Sequence, residues 1–259
     1  MRRPVLLVLI ATLALLGVGA ISAATASADP PAPPGTPTAT SFAGTPLVGP
    51  LFFSATSAGH GCTASVLESP TRDLIITAAH CIEGTGAGIQ FAPGYDRGAT
   101  PYGVWTVTEA YVDPGWVATQ DPRRDYAILR VAGHVQDVTG GSLLGRAPRP
   151  GERITDIAYN AGIDDQPIRC TVPTYLTDGF PSFNCHGYVG GSSGSPWLST
   201  VPGTKISIVH GVIGGLHQGG CFEYTSYSSP FEPSIYGVYA RAVLGTTPDV
   251  LPPAGSDGC

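Results

Sequence analysis

The 259-residue sequence holds one methionine and a single lysine, Lys205, and only 12% of its residues are charged. Its 13 basic side chains face 19 acids, a formal net charge of −6. That balance leaves no positive field with which to hold nucleic acid. Beyond the first residues no apolar run is long enough to cross a bilayer. Nothing repeats at a fixed period, which excludes a solenoid or propeller. No His/Cys/Asp spacing resembles a metal site and no phosphate-binding glycine loop is present, so neither a metal nor another cofactor is expected. Sustained helical periodicity is also missing, while 35 glycines and 25 prolines interrupt the chain.

The start of the chain is built differently. Met1-Arg2-Arg3 is basic, Val5 to Ala20 is almost wholly apolar, and Ala26-Ser27-Ala28 follows the small-x-small rule. This order predicts a secretory signal over residues 1–28, cleaved to leave about 231 residues with a charge of about −8 once Arg2 and Arg3 are gone. The mature form is then expected outside the cell and free of the membrane. Residues 29–46 are rich in Pro, Thr, Ala and Gly and predict a flexible leader or short propeptide. From Leu47 the pattern becomes short apolar runs cut by turn residues: Thr63 to Leu67, Leu74 to Thr77, Val104 to Val112, Tyr126 to Val131, Ile154 to Tyr159, Ile206 to Ile213, Ile235 to Tyr239. Many short strands of this kind predict an all-β protein. Thr139 to Glu152, rich in Gly, Arg and Pro, is read as the connection between two strand-rich halves, 47–140 and 141–259.

Three motifs carry chemistry. Gly190-Gly191-Ser192-Ser193-Gly194-Ser195-Pro196 is a tight turn in which glycine lets the backbone approach another chain. A serine hydroxyl is a poor nucleophile without a base. Thr77-Ala78-Ala79-His80-Cys81 supplies one at the end of an apolar strand, and Asp125 stands directly before the strand Tyr126-Ala127-Ile128-Leu129. Taken singly, each is more often a turn, a surface histidine or a solvated charge. Together, in the order His, Asp, Ser, with a separation of 45 positions from His80 to Asp125 and 68 from Asp125 to Ser193, they form a constellation. Asp113 and Asp121 compete for the third role but precede no such strand.

On these motifs the chain resembles the chymotrypsin-like serine peptidases, in particular their secreted bacterial branch, over roughly Val48 to Arg241. The resemblance implies two packed six-stranded antiparallel Greek-key barrels with the active site in the cleft between them. It implies that Ser193 attacks a peptide carbonyl, that His80 takes and returns the proton, and that Asp125 orients the imidazole. The N–H groups of Gly191 and Ser193 would form the oxyanion hole. Since the base must be neutral to act, activity is expected to fall in acid. The expected substrates are polypeptides, and the expected state is a monomer. The position before the nucleophile, an acid in many relatives, is Ser192 here. An uncharged serine cannot neutralise a buried ammonium, so no switch through an inserted N-terminus is expected.

All six cysteines lie beyond the expected signal, and an even count in an exported protein points to disulfides. Cys62–Cys81 would resemble the family's histidine-loop bridge and restrict the unfolded chain by roughly 3 kcal/mol. Cys170–Cys185 is the second expected pair, leaving Cys221 with Cys259; Cys185 with Cys221 is the chief alternative. The specificity pocket is expected to have its floor near His186 to Val189 and its wall along Val209 to Leu216, with Gly214 and Gly215 resembling the substrate-pairing strand. His217, with His210 on the other flank, could meet an acidic side chain, but surface histidines are the commoner case, and a small or medium apolar preference is the default. A catalytically silent binding protein of the same fold is the competing reading. An α/β-hydrolase esterase would need the order Ser, Asp, His.

Overall fold

A computed structural model describes residues 29–163 and 165–259, and the compact unit runs from Ala32 to Cys259. The signal expected over 1–28 lies outside the described residues. In chain order the strands of the first half are β1 (Thr40–Ser41), β2 (Val48–Phe52), β3 (Cys62–Val66), β4 (Leu74–Thr77), β5 (Gln90–Phe91), β6 (Trp105–Val112) and β7 (Ala127–Val131). Strands β2 to β7 close into an antiparallel barrel in the order β2-β3-β4-β7-β6-β5. The interior is filled by Leu51, Ala64, Val66, Ile75, Phe91, Val107 and Leu129, while alternate positions such as Ile76 and Ile128 face a second core shared with the other half. Apolar residues on both faces explain why several barrel strands read as unbroken apolar runs.

Two short helices, α1 (Pro114–Thr119) and α2 (Val135–Thr139), flank β7, and the second half adds β8 (Leu143–Leu144), β9 (Arg153–Ala158), β10 (Ile168–Pro173), β11 (Tyr175–Thr177), β12 (Phe180–Asn184), β13 (Pro196–Thr200), β14 (Ser207–Val212) and β15 (Thr225–Tyr227). These strands form a six-stranded sheet, β1-β10-β9-β13-β14-β8, and a three-stranded sheet, β11-β12-β15. The two enclose a core of Ile154, Val172, Phe183, Tyr188 and Trp197. The all-β, two-barrel architecture is thus present, the second half being built from two sheets rather than one continuous ring.

Two stretches differ from expectation. Residues 36–42 of the expected flexible leader are docked. Ala39 N–H donates to His186 O at 2.9 Å, His186 N–H donates to Pro37 O at 2.8 Å, and β1 pairs with Ile168 and Arg169. Composition hid this because the pairing uses backbone groups, which any residue but proline can offer. The run Ile235 to Tyr239 lies not in a strand but in the helix α3 (Ser234–Leu244). Its buried residues Ile235, Val238 and Ala242 follow a helical spacing that a five-residue apolar window cannot separate from a strand. Although α3 follows the second half, it packs on β6 and β7 of the first.

The cysteines pair as Cys62–Cys81, Cys170–Cys185 and Cys221–Cys259. The alternative bridge from Cys185 to Cys221 does not form.

Candidate active site

Strand β4 ends at Thr77, and the chain turns through Ala79–Cys81, leaving His80 at the end of the strand. The bridge from Cys81 to Cys62 at the start of β3 ties this turn to the barrel. Asp125 stands two residues before β7, whose first residue Ala127 pairs with Thr77 at the end of β4, so the pairing of the two strands brings the residues together. The His80 ring Nδ1 lies 2.7 Å from Asp125 Oδ2, and the His80 backbone N–H donates to Oδ1 at 2.9 Å. Gly215 N–H donates to Oδ2 at 2.8 Å. Asp125 is fully buried, and its own N–H donates to Ser229 Oγ at 3.0 Å. Three N–H donors offset the desolvation of a buried carboxylate. The competitors are used elsewhere: Asp113 caps α1 through Gly115 N–H and Asp121 caps the next turn through Arg123 N–H.

Ser193 lies in the turn before β13 and lines, with His80, a cleft of about 600 Å³. Gly191 has a φ of +98°, and a Cβ there would land on the Ala161 backbone. Gly194, at +81°, would place one against Thr63 O and Thr77 Oγ1. Both positions therefore require glycine. The peptide planes of the turn are pinned. Ala161 N–H donates to Gly190 O at 2.6 Å and Ser195 N–H donates to Ser192 O at 3.0 Å. A trans peptide points its N–H opposite to its C=O. The Gly191 and Ser193 N–H groups are therefore aimed away from those partners, and neither has a protein acceptor among the described residues.

Thr63, on β3, was not picked out by the sequence motifs. It is fully buried; its Oγ1 accepts from Tyr159 N–H at 2.9 Å and donates to Gly191 O at 3.0 Å. Its backbone N–H donates to Ser193 O at 2.8 Å. Asp156 was missed too. It is fully buried on β9, with Ser195 Oγ 2.9 and 3.0 Å from its two oxygens. Burial pushes its carboxyl well above the ordinary carboxylate range, against the Ser195 and Tyr188 hydrogen bonds. Nothing in sequence marks either residue, because their partners lie far along the chain.

The cleft is lined by Tyr188, Val189, Ile213 and Phe222, with Thr225 and Ser226 on the same wall. Glu223 also lines it, an acid outside the segment expected to form the floor. Burial pushes Glu223 up, but the His186 hydrogen bond and the Gly187 N–H outweigh it and leave the carboxyl below its usual range. Gly214 and Gly215 are buried behind this wall: Gly214 N–H donates to Tyr227 O at 3.0 Å, and Gly215 N–H is held by Asp125. His217 lines the cleft, but His210 is away from it, between Ser199 Oγ and Arg146 O, each at 2.8 Å.

No protein-family model matches the chain. A search of curated proteins finds 30% identity over 89 residues with an extracellular metalloprotease of Bacillus subtilis (strain 168), spanning 33% of this chain and 28% of that protein. Among the described residues, Cys62, His80 and Cys81 cluster within ligand distance, as do His217, Cys221 and Cys259. In each group both cysteines are joined in a disulfide, so no thiolate remains to hold a metal, and these residues do not fit one. Among solved structures the chain is similar to the protease Anisep of Arthrobacter nicotinovorans, with a TM-score of 0.68 and 22% identity over 80% of this chain and 100% of that one. It is also similar to the thermostable serine protease AL20 of an extremophilic microorganism, at 0.65 and 24% over 77% and 98%. A Glu endopeptidase matches at 0.64 and 17%, over 81% and 98%. The chain has the chymotrypsin-like fold.

Proposed function

We propose that this chain is a secreted serine endopeptidase, monomeric and without cofactor, in which Ser193 is the nucleophile, His80 the general base and Asp125 the residue that orients it. The observation that carries this reading is the 2.7 Å contact between His80 Nδ1 and a buried Asp125, within a cleft that Ser193 also lines. Holding Nδ1 as the donor leaves Nε2 free to take the Ser193 proton. The alkoxide attacks the carbonyl, and the negative charge formed on its oxygen meets the N–H groups of Gly191 and Ser193. Those donors are oriented before the reaction, so little reorganisation is needed as charge develops. His80 then passes its proton to the leaving amine, and water repeats the sequence on the acyl-enzyme.

The walls favour an uncharged, medium-sized side chain at the cleaved residue. Tyr188, Val189, Ile213 and Phe222 present apolar surface, while the Glu223 charge is directed to His186 at 2.6 Å. His217 Nδ1 is turned to Asp257 O at 3.0 Å, so that nitrogen is not offered to an acidic side chain. Export fits the signal expected over residues 1–28 and the three disulfides, which suit an oxidising compartment. The test is Ser193→Ala, expected to lower peptide hydrolysis by about 10⁴-fold or more with the fold retained. A folded variant with near wild-type turnover would reject Ser193 as the nucleophile, and a folded parent that neither hydrolyses peptides nor reacts with an organophosphonate would favour a silent binding protein.

A further inference from the structure

The last described residues cross from one half of the molecule to the other at the mouth of the cleft. Leu251 is buried in the first barrel and exchanges two backbone hydrogen bonds with Gly84, at 2.7 and 2.9 Å. The side chain of Gln120, just after α1, then clamps the strand of chain: its Nε2 donates to Pro253 O and its Oε1 accepts from Gly255 N–H, both at 2.7 Å. On the far side Gln218 Nε2 donates to Gly255 O at 2.8 Å, and His217 Nδ1–H donates to Asp257 O at 3.0 Å. The Cys221–Cys259 bridge fixes the end. Asp257 lines the same cleft as His80 and Ser193, and Ala254 lines the adjoining hollow beside His80 and Phe53.

The edge that a bound peptide would follow is short for a separate reason. From Gly214 on, the backbone is already used: Gly214 N–H serves Tyr227 O at 3.0 Å, Gly215 N–H serves Asp125, and Gly215 O accepts from Gln218 N–H at 2.9 Å. The chain then turns through Leu216–Gly219, with His217 and Gln218 in left-handed conformations at φ 51° and 48°. Strand addition needs a run of free backbone groups in extended conformation. The base must reach the leaving amine, so the amine side of a bound chain lies over His80. The acyl side then runs past Ile213, which lines the cleft, toward His217, where the strap is docked.

We propose that residues 251–259 are a specificity-determining strap that closes the acyl-side end of the cleft, so that the site takes polypeptides mainly through the two residues nearest the scissile bond on that side. The proposal rests on the peptidase reading above. Nothing in the chemistry of attack requires the strap; it acts on how much substrate can be bound. Energy from remote parts of a substrate ordinarily raises kcat/KM, and the strap denies this enzyme that source.

The experiment uses capped peptide anilides with one to four residues on the acyl side. It compares the full chain, a variant lacking residues 252–259 with Cys221→Ser, and the full-length Cys221→Ser/Cys259→Ser variant. A fluorophosphonate counts competent Ser193 in each preparation and needs no acyl-side residues. In the full chain, kcat/KM per labelled site should change less than about twofold from two residues to four; in the shortened variant the same ratio should rise by about tenfold or more. The double-serine variant, which keeps every other contact, should fall between and guards against misfolding of the shortened one. A steep rise in the full chain, or flat ratios in all three, would overturn the strap proposal while leaving the peptidase reading in place. Failure of the phosphonate to label Ser193 in the full chain would instead overturn the peptidase reading and the strap proposal with it.

Discussion

Replacing Thr63 by valine keeps the shape of the side chain and removes one hydroxyl from the wall between the two halves. That hydroxyl accepts from Tyr159 N–H at 2.9 Å and donates to Gly191 O at 3.0 Å. The site is fully buried, so water cannot replace either partner. Each buried polar group left unpaired costs about 1–3 kcal/mol, and two are left here, which puts the loss for Thr63→Val at about 2–6 kcal/mol. The second consequence is catalytic. Thr63 holds the carbonyl of Gly191, and Ala161 holds that of Gly190, so the N–H of Gly191 is fixed from both sides. Removing an oxyanion donor outright costs about 10²–10³ in kcat, and loosening one should cost about tenfold or more. Substrate walls are untouched, so KM should move little. Denaturant unfolding gives the first number, and steady-state kinetics normalised by active-site titration gives the second. Thr63→Ser should restore most of both. A folded Thr63→Val with wild-type kcat would show that Thr63 does not support the turn.

Asp125→Asn should lower turnover at neutral pH by roughly 10⁴-fold by presenting the wrong imidazole tautomer, whereas Asp121→Asn, which touches only a cap, should leave turnover within about twofold; reversed effects in the two pH–rate profiles would move the orienting role to Asp121. Asp156→Asn should flatten the pH dependence of stability. The folded protein keeps the Asp156 proton that an unfolded chain releases near pH 4, so the native state loses stability as pH rises from there through the raised folded value. Urea midpoints taken from about pH 4 to 8 should fall less steeply in Asp156→Asn than in the parent, and parallel curves would contradict the buried neutral acid. A chain starting at Gly44 loses the pairing of β1 with β10 and the Phe42–Arg169 stacking, and should unfold about 1–3 kcal/mol more easily than one starting at Asp29 while keeping the same turnover per titrated site.

The candidate site was legible because each of His80, Asp125 and Ser193 sits in a local motif whose flanks also set the backbone, a strand end, a strand start and a glycine turn, and the structure puts His80 against Asp125 and lines one cleft with His80 and Ser193. The barrels were legible for the same reason, since alternation and turn residues act over neighbouring positions. What escaped depends on partners distant in sequence. Thr63 meets Gly191 across 128 residues and Asp156 meets Ser195 across 39. Thr36 to Phe42 carries no apolar period, because it is held by backbone hydrogen bonds to β10 and His186. The strap is Pro- and Gly-rich and its sequence offers one anchor, Cys259, yet two glutamine side chains and one histidine hold it in place besides the disulfide.

Peptide hydrolysis by this chain requires that His80 activate the hydroxyl of Ser193. The direct measurement is reaction of the folded protein with a fluorophosphonate, followed by mass mapping of the modified peptide, in the parent and in His80→Ala. The parent should be labelled stoichiometrically on the peptide carrying Ser193, at a rate that falls in acid, and His80→Ala should react slower by about 10³-fold or more. Labelling at another residue, or equal rates in the two proteins, would contradict it.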